Sequence, residues 1–380
     1  MPATPLHALN AAGQSIWLDY IDRTLVQSGD LAKRIEADAL TGMTSNPTIF
    51  EKALAHGTAY DAQLAALATD RTPWAIFEAV ETDDVRAACD VFRPTYDRTA
   101  SADGYVSIEV SPGAAHDTVG TVQEARRLWR SVDRPNVMIK VPGTPAGCGA
   151  LRQLIADGIN VNVTLLFART AYASVIEAYL AGLEDRAATG GALGHVSSVA
   201  SFFVSRVDSE VDKRLESIGT PSALLLRGTA AVANAVLAYA LFRERFSGSR
   251  WDVLAAKGAR VQRPLWASTG TKNPAFSDVK YVEALIGPDT VNTLPPATLD
   301  AFRDHGAVAR TVDADVVGAG DAIARIEAAG VSLSEVTDQL LIEGLASFQK
   351  SFDSLLAGIE TKTAALARKR ADARQQKSAV

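Results

Sequence analysis

The sequence predicts an α/β protein built as a single (β/α)8 TIM barrel, with extra helices between strands two and three and at the C-terminus. Two observations carry this. Short strand-like runs alternate with helical stretches along the chain, the pattern of a parallel sheet with helical crossovers. The runs fall at 15–20, 42–45, 105–110, 137–141, 160–165, 195–201, 264–268 and 290–294, which makes eight, the number that closes such a barrel. A doubly wound open sheet is the competing architecture.

The first run, Ser15-Ile16-Trp17-Leu18-Asp19-Tyr20, and the second, Gly42-Met43-Thr44-Ser45, each lead into polar residues. Residues 60–103 then read as largely helical, longer than a barrel crossover needs. After the third run, the amphipathic segment 122–132 leads to the fourth, and 170–188 separates the fifth from the sixth. Beyond the eighth, Ser332-Leu333-Ser334-Glu335 resembles a capping box opening a helix. Leu341, Leu345, Phe348, Phe352, Leu355 and Ile359 follow at alternating steps of four and three. That spacing lays an apolar stripe along one helix face, either for packing on the barrel or for a dimer seam. Residues 1–360 are therefore expected to form one catalytic barrel domain, and 361–380 a basic tail that frays.

At 380 residues with 47% apolar and 22% charged, the chain carries enough apolar residues for a large core. A net charge of −6 argues against a general nucleic-acid binder. Two cysteines, Cys89 and Cys148, supply neither a disulfide framework nor a tetrahedral metal site and suit a reducing, cytoplasmic setting. No signal peptide is expected at the N-terminus. The Ala-rich stretch 223–242 is interrupted by Arg227 and Asn234, so no membrane span is expected.

The most informative residue is Lys140, inside the apolar run Asn136-Val137-Met138-Ile139-Lys140-Val141. Burial disfavours an ammonium ion, and a neutral amine on a rigid strand can attack a carbonyl to form a Schiff base. Alone, such a lysine reads equally as half of a salt bridge or as a phosphate ligand. The other strands reverse that balance, because reactive side chains of a barrel stand at the C-terminal strand ends, and polar residues cluster there. They are Asp19, Asn46, Glu109, Asn162, Thr164, Ser201, Arg206 and Ser268. Singly, Asn46 before Pro47 is a loop-entry cap, Thr164 a strand filler and Arg206 a solvated charge.

Together they make chemical sense. Schiff-base formation needs an acid/base to move protons to and from a carbinolamine, open to Glu109 and a water held by Thr164. Making or breaking the adjacent C–C bond needs a base for a hydroxyl, open to Asp19. Asn46 and Asn162 can hold sugar hydroxyls, and Arg206 and Lys272 offer cations to a phosphate. The histidines His7, His56, His116, His195 and His305 are scattered, so a metal-dependent aldolase is disfavoured. No glycine-rich nucleotide fingerprint follows a strand. No cofactor is expected.

At this point the residues resemble a known family. Thr44-Ser45-Asn46-Pro47-Thr48-Ile49-Phe50, Ser107-Ile108-Glu109-Val110, Met138-Ile139-Lys140-Val141-Pro142, the run from Gly158 to Phe167, and Ser201-Phe202-Phe203-Val204-Ser205-Arg206 are similar to motifs of the longer bacterial transaldolases. The resemblance implies a barrel of the Schiff-base aldolase type that moves a dihydroxyacetone unit between sugar phosphates, with no metal or organic cofactor. It implies Lys140 as the Schiff-base residue, Glu109 as the acid/base acting through a water, Thr164 as the holder of that water, and Asp19 as the acid/base at the C–C bond. Asn46 and Asn162 match residues that hold the dihydroxyacetone part, and Arg206, beside Ser201, a phosphate ligand.

Two departures stand out. Many relatives have Ser-Pro-Phe where this chain has Ser201-Phe202-Phe203. An arginine common after the seventh strand gives way to Thr271-Lys272-Asn273, leaving Lys272, with Ser268, to complete the phosphate site. Related enzymes that only cleave or join are much shorter and resemble one another in a Gln at the Glu109 position and a Tyr at the Phe203 position. Glu109 and Phe203 therefore favour transfer over release. A non-catalytic sugar-phosphate-binding barrel would lack one of Lys140, Glu109 or Asp19. The expected partners are small sugar phosphates, with no nucleic acid and no membrane, and the protein is expected to be a monomer or homodimer. Cys148 reads as a small apolar filler.

Overall fold

Eight parallel strands pair edge to edge and close on themselves: β1 (Gln14–Asp19), β2 (Gly42–Thr44), β3 (Tyr105–Glu109), β4 (Val137–Pro142), β5 (Val161–Leu166), β6 (Ser198–Phe203), β7 (Arg263–Ala267) and β8 (Thr290–Leu294). β8 returns to pair with β1, Gln14 beside Thr290 and Leu18 beside Leu294. The computed structural model describes residues 4–55, 57–68 and 71–378. His56, Thr69, Asp70, Ala379 and Val380, which the readings above touch, lie outside them. The closed barrel displaces the open-sheet alternative.

The expected strands are all present, and β6 shows the largest offset. It begins at Ser198 rather than His195, because the backbone before it turns (Val196 N to Leu193 O, 3.1 Å) and Ser197 N donates to the Asn160 side chain at 2.9 Å. At its other end it extends through Phe202 and Phe203, whose polar neighbours had hidden the continuation.

Many of the strand residues facing the barrel interior are polar, and several are paired. Asn162 donates to Ser107 Oγ (3.0 Å) and accepts from Ser201 Oγ (2.7 Å), joining β3, β5 and β6. Gln14 donates to Thr290 (3.0 Å), and Thr269 donates to Asn292 (2.9 Å). At the opposite mouth, Asp103 receives Trp17 Nε1 at 2.8 Å and lies 3.5 Å from Arg263, linking β1 and β7 to the start of β3. Each bond satisfies a group whose burial unpaired would be costly.

The insertion after β2 is helical, as expected: Pro47–Ala55, Asp61–Leu67 and Pro73–Arg98. The C-terminal helix, Leu333–Ser378, opens with Glu335 N donating to Ser332 Oγ at 3.3 Å, one arm of the expected capping box. Its apolar stripe serves the barrel's own core. Phe348, Phe352, Leu355 and Ile359 are buried, and the helix packs on the insertion helices and on Ser205–Ile218. Phe352 meets Trp74 and Phe77 edge-on at 5.0 and 6.0 Å. Gly344 lets the helix approach the barrel, since a Cβ there would stand 3.0 Å from Leu165 Cδ2. Lys362, at the start of the expected tail, donates to the carbonyls of Leu54 and Gly57 and lies 3.0 Å from Asp61. The backbone of 361–378 continues this helix. Among the described residues no helix is long and apolar enough to cross a membrane; the 223–242 stretch is divided between Pro221–Leu224 and Ala230–Arg245.

Truncating Phe352 to alanine removes the aromatic ring that ties this helix to the insertion. Denaturant unfolding of Phe352→Ala is expected to show a loss of about 3–5 kcal/mol. A loss under about 1 kcal/mol, the scale of an ordinary surface change, would mean the helix adds little to the core.

Candidate active site

The C-terminal ends of the strands surround a cavity of about 280 Å3. Asp19 at the end of β1, Lys140 on β4, Thr164 on β5, Ser201 and Phe203 on β6, and Arg206 one turn into the following helix line its wall. So do Asn46 after β2, and Ser268 and Lys272 after β7. A larger cleft of about 690 Å3 lies outside the barrel between the helices Arg169–Ala188, Ala230–Arg245 and the start of the C-terminal helix. We assign the site to the smaller cavity because the amine, the carboxylates and the free cations converge there.

Parallel register sets the central contact. Glu109 and Lys140 are partners across β3 and β4, and Lys140 Nζ lies 3.4 Å from Glu109 Oε2 and donates to the Ser45 carbonyl at 3.1 Å. Both side chains are buried. Glu109 touches the amine from behind and is not on the cavity wall. Glu109 Oε2 has the Lys140 contact alone, and Thr164 Oγ1 is buried with no hydrogen-bond partner among the described residues, so both keep unused capacity. Thr164 sits where the pairing of β5 with β6 shifts register, between Val163 and Leu166, and Leu165 takes a φ of +61°. A branched residue in the left-handed region is strained, and such an irregularity re-aims the side chains beside it.

Burial pushes the Asp19 carboxyl above its ordinary value, opposed by the Lys140 charge, a hydrogen bond from Thr44 and the Arg206 charge. Thr44 Oγ1 lies 3.1 Å from Asp19 and 2.7 Å from Thr293 Oγ1, a hydroxyl chain that fixes the carboxylate. Burial raises Glu109 as well, against the pull of Lys140.

At the far end, Arg206 lies over the Phe203 ring at 5.2 Å. Among the described residues it makes no ion pair. Burial lowers its pKa, and burial together with the Arg206 charge lowers that of Lys272. Two cations without counter-ions at one end of a polar cavity form a seat for an anion.

Two candidates have additional or different engagements. Asn46 caps the helix Pro47–Ala55 by accepting from Ile49 N at 3.1 Å, so its cap role and its place on the cavity wall coexist. Asn162 is fully buried beneath the cavity, with both amide groups bound to Ser107 and Ser201. Sequence reasoning missed Phe348, whose ring lies 5.7 Å from Lys140 Nζ, and the hydroxyls Thr44 and Thr293. Phe348 was visible in the apolar stripe, but nothing in the sequence turned it toward the lysine. Both cysteines are free thiols that burial pushes up in pKa, as fits apolar fillers. No cluster of His, Cys, Asp and Glu among the described residues is arranged to hold a metal ion.

A closed (β/α)8 barrel with a strand-borne amine against a carboxylate and a cationic seat across the cavity defines a barrel enzyme equipped for carbonyl chemistry on anionic substrates. The chain belongs to the transaldolase/fructose-6-phosphate aldolase family, whose sequence model matches residues 16–359. It is 52% identical to Transaldolase 1 of Streptomyces coelicolor over 94% of each chain. It is 50% identical to the transaldolase of Mycobacterium ulcerans, over 96% of this chain and 98% of that one. With the transaldolase of Thermobifida fusca it shares 50%, over 95% and 99%.

The raised Asp19 carboxyl makes a prediction about stability. It holds its proton more tightly folded than unfolded, so its contribution is fully present below the unfolded value of about 3.9 and is lost as pH rises through the folded value. Asp19→Asn is therefore expected to gain stability over the wild type at neutral pH, a gain that shrinks as pH falls toward about 4. Urea unfolding across that range measures it; a difference independent of pH would refute the assignment.

Proposed function

We propose that this chain is a transaldolase acting through a Schiff base on Lys140, moving a dihydroxyacetone unit from a ketose phosphate to an aldose phosphate. The reaction is sedoheptulose 7-phosphate plus glyceraldehyde 3-phosphate to erythrose 4-phosphate plus fructose 6-phosphate, a step of the pentose phosphate pathway. The observation that carries this reading is the buried Lys140 amine, 3.4 Å from Glu109, in a cavity whose other end holds Arg206 and Lys272.

The Lys140 ammonium gives a proton to Glu109, and the amine adds to the ketose carbonyl; a second proton passes from the nitrogen to the carbonyl oxygen by way of a water on Thr164, giving the carbinolamine. Glu109 then returns its proton to the carbinolamine hydroxyl, which departs as water to leave an iminium. Asp19 takes the proton of the hydroxyl beyond the scissile C–C bond. That bond breaks, the first aldose leaves, and the electron pair stays on the three-carbon unit as an enamine. An acceptor aldehyde then runs the steps in reverse. Asn46 holds the hydroxyls of the unit. Asn162, beneath the wall, supports Ser201 and turns toward substrate only if its bond to Ser107 opens. Arg206, with Lys272, Ser201 and Ser268, receives the phosphate.

Transfer is favoured over simple cleavage because Phe203 lines the cavity with an apolar ring where a hydroxyl would supply a proton to the enamine. The free thiols accord with a cytoplasmic enzyme.

Incubation with fructose 6-phosphate followed by borohydride is expected to leave a reduced dihydroxyacetone adduct on the peptide carrying Lys140, read by mass spectrometry. Lys140→Ala is expected to lose adduct and transfer while remaining folded; an adduct elsewhere, or normal turnover by the variant, refutes the mechanism. Arg206→Ala removes a charge-assisted contact of about 1.5–3 kcal/mol, so KM for phosphorylated sugars is expected to rise about tenfold or more. An unchanged KM for every phosphorylated sugar would remove Arg206 from phosphate binding.

A further inference from the structure

Behind Glu109, away from the cavity, lies a second buried carboxyl that the reaction above does not use. Glu81, on the helix Pro73–Arg98, is 4% exposed. Among the described residues no hydrogen bond or ion pair reaches its carboxyl group. With Glu109, Glu124, Ser111 and Phe352 it lines a small space of about 10 Å3, roughly the size that holds one water. The other carboxyls there are already held. Glu124 accepts from Ser111 N and Oγ at 2.9 and 2.7 Å, and Glu78 accepts from Arg127 at 2.6 Å. Glu81 is thus left without a partner on a space that Glu109 also lines. Buried polar groups are rarely left so.

We propose that Glu81 is a positioning residue for Glu109: through one water in this space, its carboxyl group makes the hydrogen bond that orients the Glu109 carboxylate toward Lys140. The electrostatics of the surroundings support this. Burial pushes Glu81 well above the ordinary carboxylate range, and the charges of Glu109 on β3, Glu124 on the helix Thr118–Val132, and Glu78 and Asp84 on its own helix act in the same direction. Among the described residues no cation pairs with Glu81, and Arg127 pairs with Glu78 and lies 3.9 Å from Glu124. Two neighbouring carboxyls can share one proton, and Lys140 pulls Glu109 toward the carboxylate while nothing opposes the upward push on Glu81.

The inference rests on the proposed role of Glu109, and the test separates the two. Glu81→Leu removes the donor at similar volume; Glu81→Gln keeps a neutral donor. Glu81→Leu is expected to lower kcat about tenfold with KM unchanged. It is also expected to move the acidic limb of the kcat profile to higher pH, because a carboxylate that loses a donor holds its proton more tightly. Glu81→Gln is expected to keep kcat within about twofold, with the limb in place. An unaltered kcat and limb in Glu81→Leu overturns the proposal, as does a Gln variant as impaired as the Leu variant. Should Glu81→Leu fail to fold by circular dichroism, Glu81→Met is read in the same way. Normal turnover by Glu109→Gln would instead overturn the role of Glu109, and that of Glu81 with it. An inactive Glu109→Gln beside a wild-type-like Glu81→Leu refutes Glu81 alone.

Discussion

Two opposite charges removed from water on neighbouring strands set the terms for this structure. The contact of Lys140 with Glu109, at 3.4 Å, exists only if β3 and β4 lie parallel and in register, and both strands reach the cavity only because the barrel closes. Desolvating an ion pair can cost more than its attraction returns, yet removing one partner leaves a buried charge uncompensated. The surroundings therefore carry an alternation of sign. Asp19 lies close enough to Lys140 and Arg206 to feel both, and Arg206 depresses Lys272. At Arg206 and Lys272 the alternation weakens: among the described residues neither makes an ion pair, although Asp19 and Glu343 act on Arg206 from a distance. In the proposed reaction, that end receives the anionic part of the substrate.

The C-terminal helix belongs to this electrostatic design as much as to the core. Phe348 stands over Lys140, while Phe352, Leu355 and Ile359 fasten the same helix to the insertion after β2. Without that helix the amine would meet bulk water, and the electrostatics of the site would weaken accordingly. The two additions to the basic barrel, far apart in sequence, thus meet as one wall. Gly344 and Leu165 show how close the fit is: the irregular backbone at the end of β5 and the side-chain-free position on the helix are accommodated together.

The strand pattern was legible because parallel strands buried on both faces are short apolar runs, and Lys140, Glu109 and Asp19 stood out as charges at their ends. Three-dimensional partners were not legible. The stripe that includes Phe348 announces a buried helix face, but periodicity does not say what it covers. Asn162 illustrates the converse. Its residue type suits a sugar hydroxyl, yet in the fold its amide bridges Ser107 and Ser201, contacts separated by dozens of residues in the chain. Asn46 carried both readings, cap and wall, and the structure grants both. Glu81 had no signal, since one acidic residue on an amphipathic helix looks like any solvated charge until burial is known.

Transfer chemistry makes a demand that cleavage does not: the three-carbon unit, on Lys140 in the proposed mechanism, must outlast the departure of the first aldose. Protonation of the enamine at carbon ends that lifetime, so loose proton donors around it are harmful. The wall meets this in two ways. Phe203 and Phe348 line the cavity with rings that have no proton to give. The nearby hydroxyls are committed, Thr44 to Asp19 and Ser201 to Asn162. Thr164 Oγ1 has no partner among the described residues, and it lines the same cavity as Lys140. In this reading the polar interior that makes the barrel unusual also restrains the hydroxyls, and the same bonds that satisfy buried groups protect the intermediate.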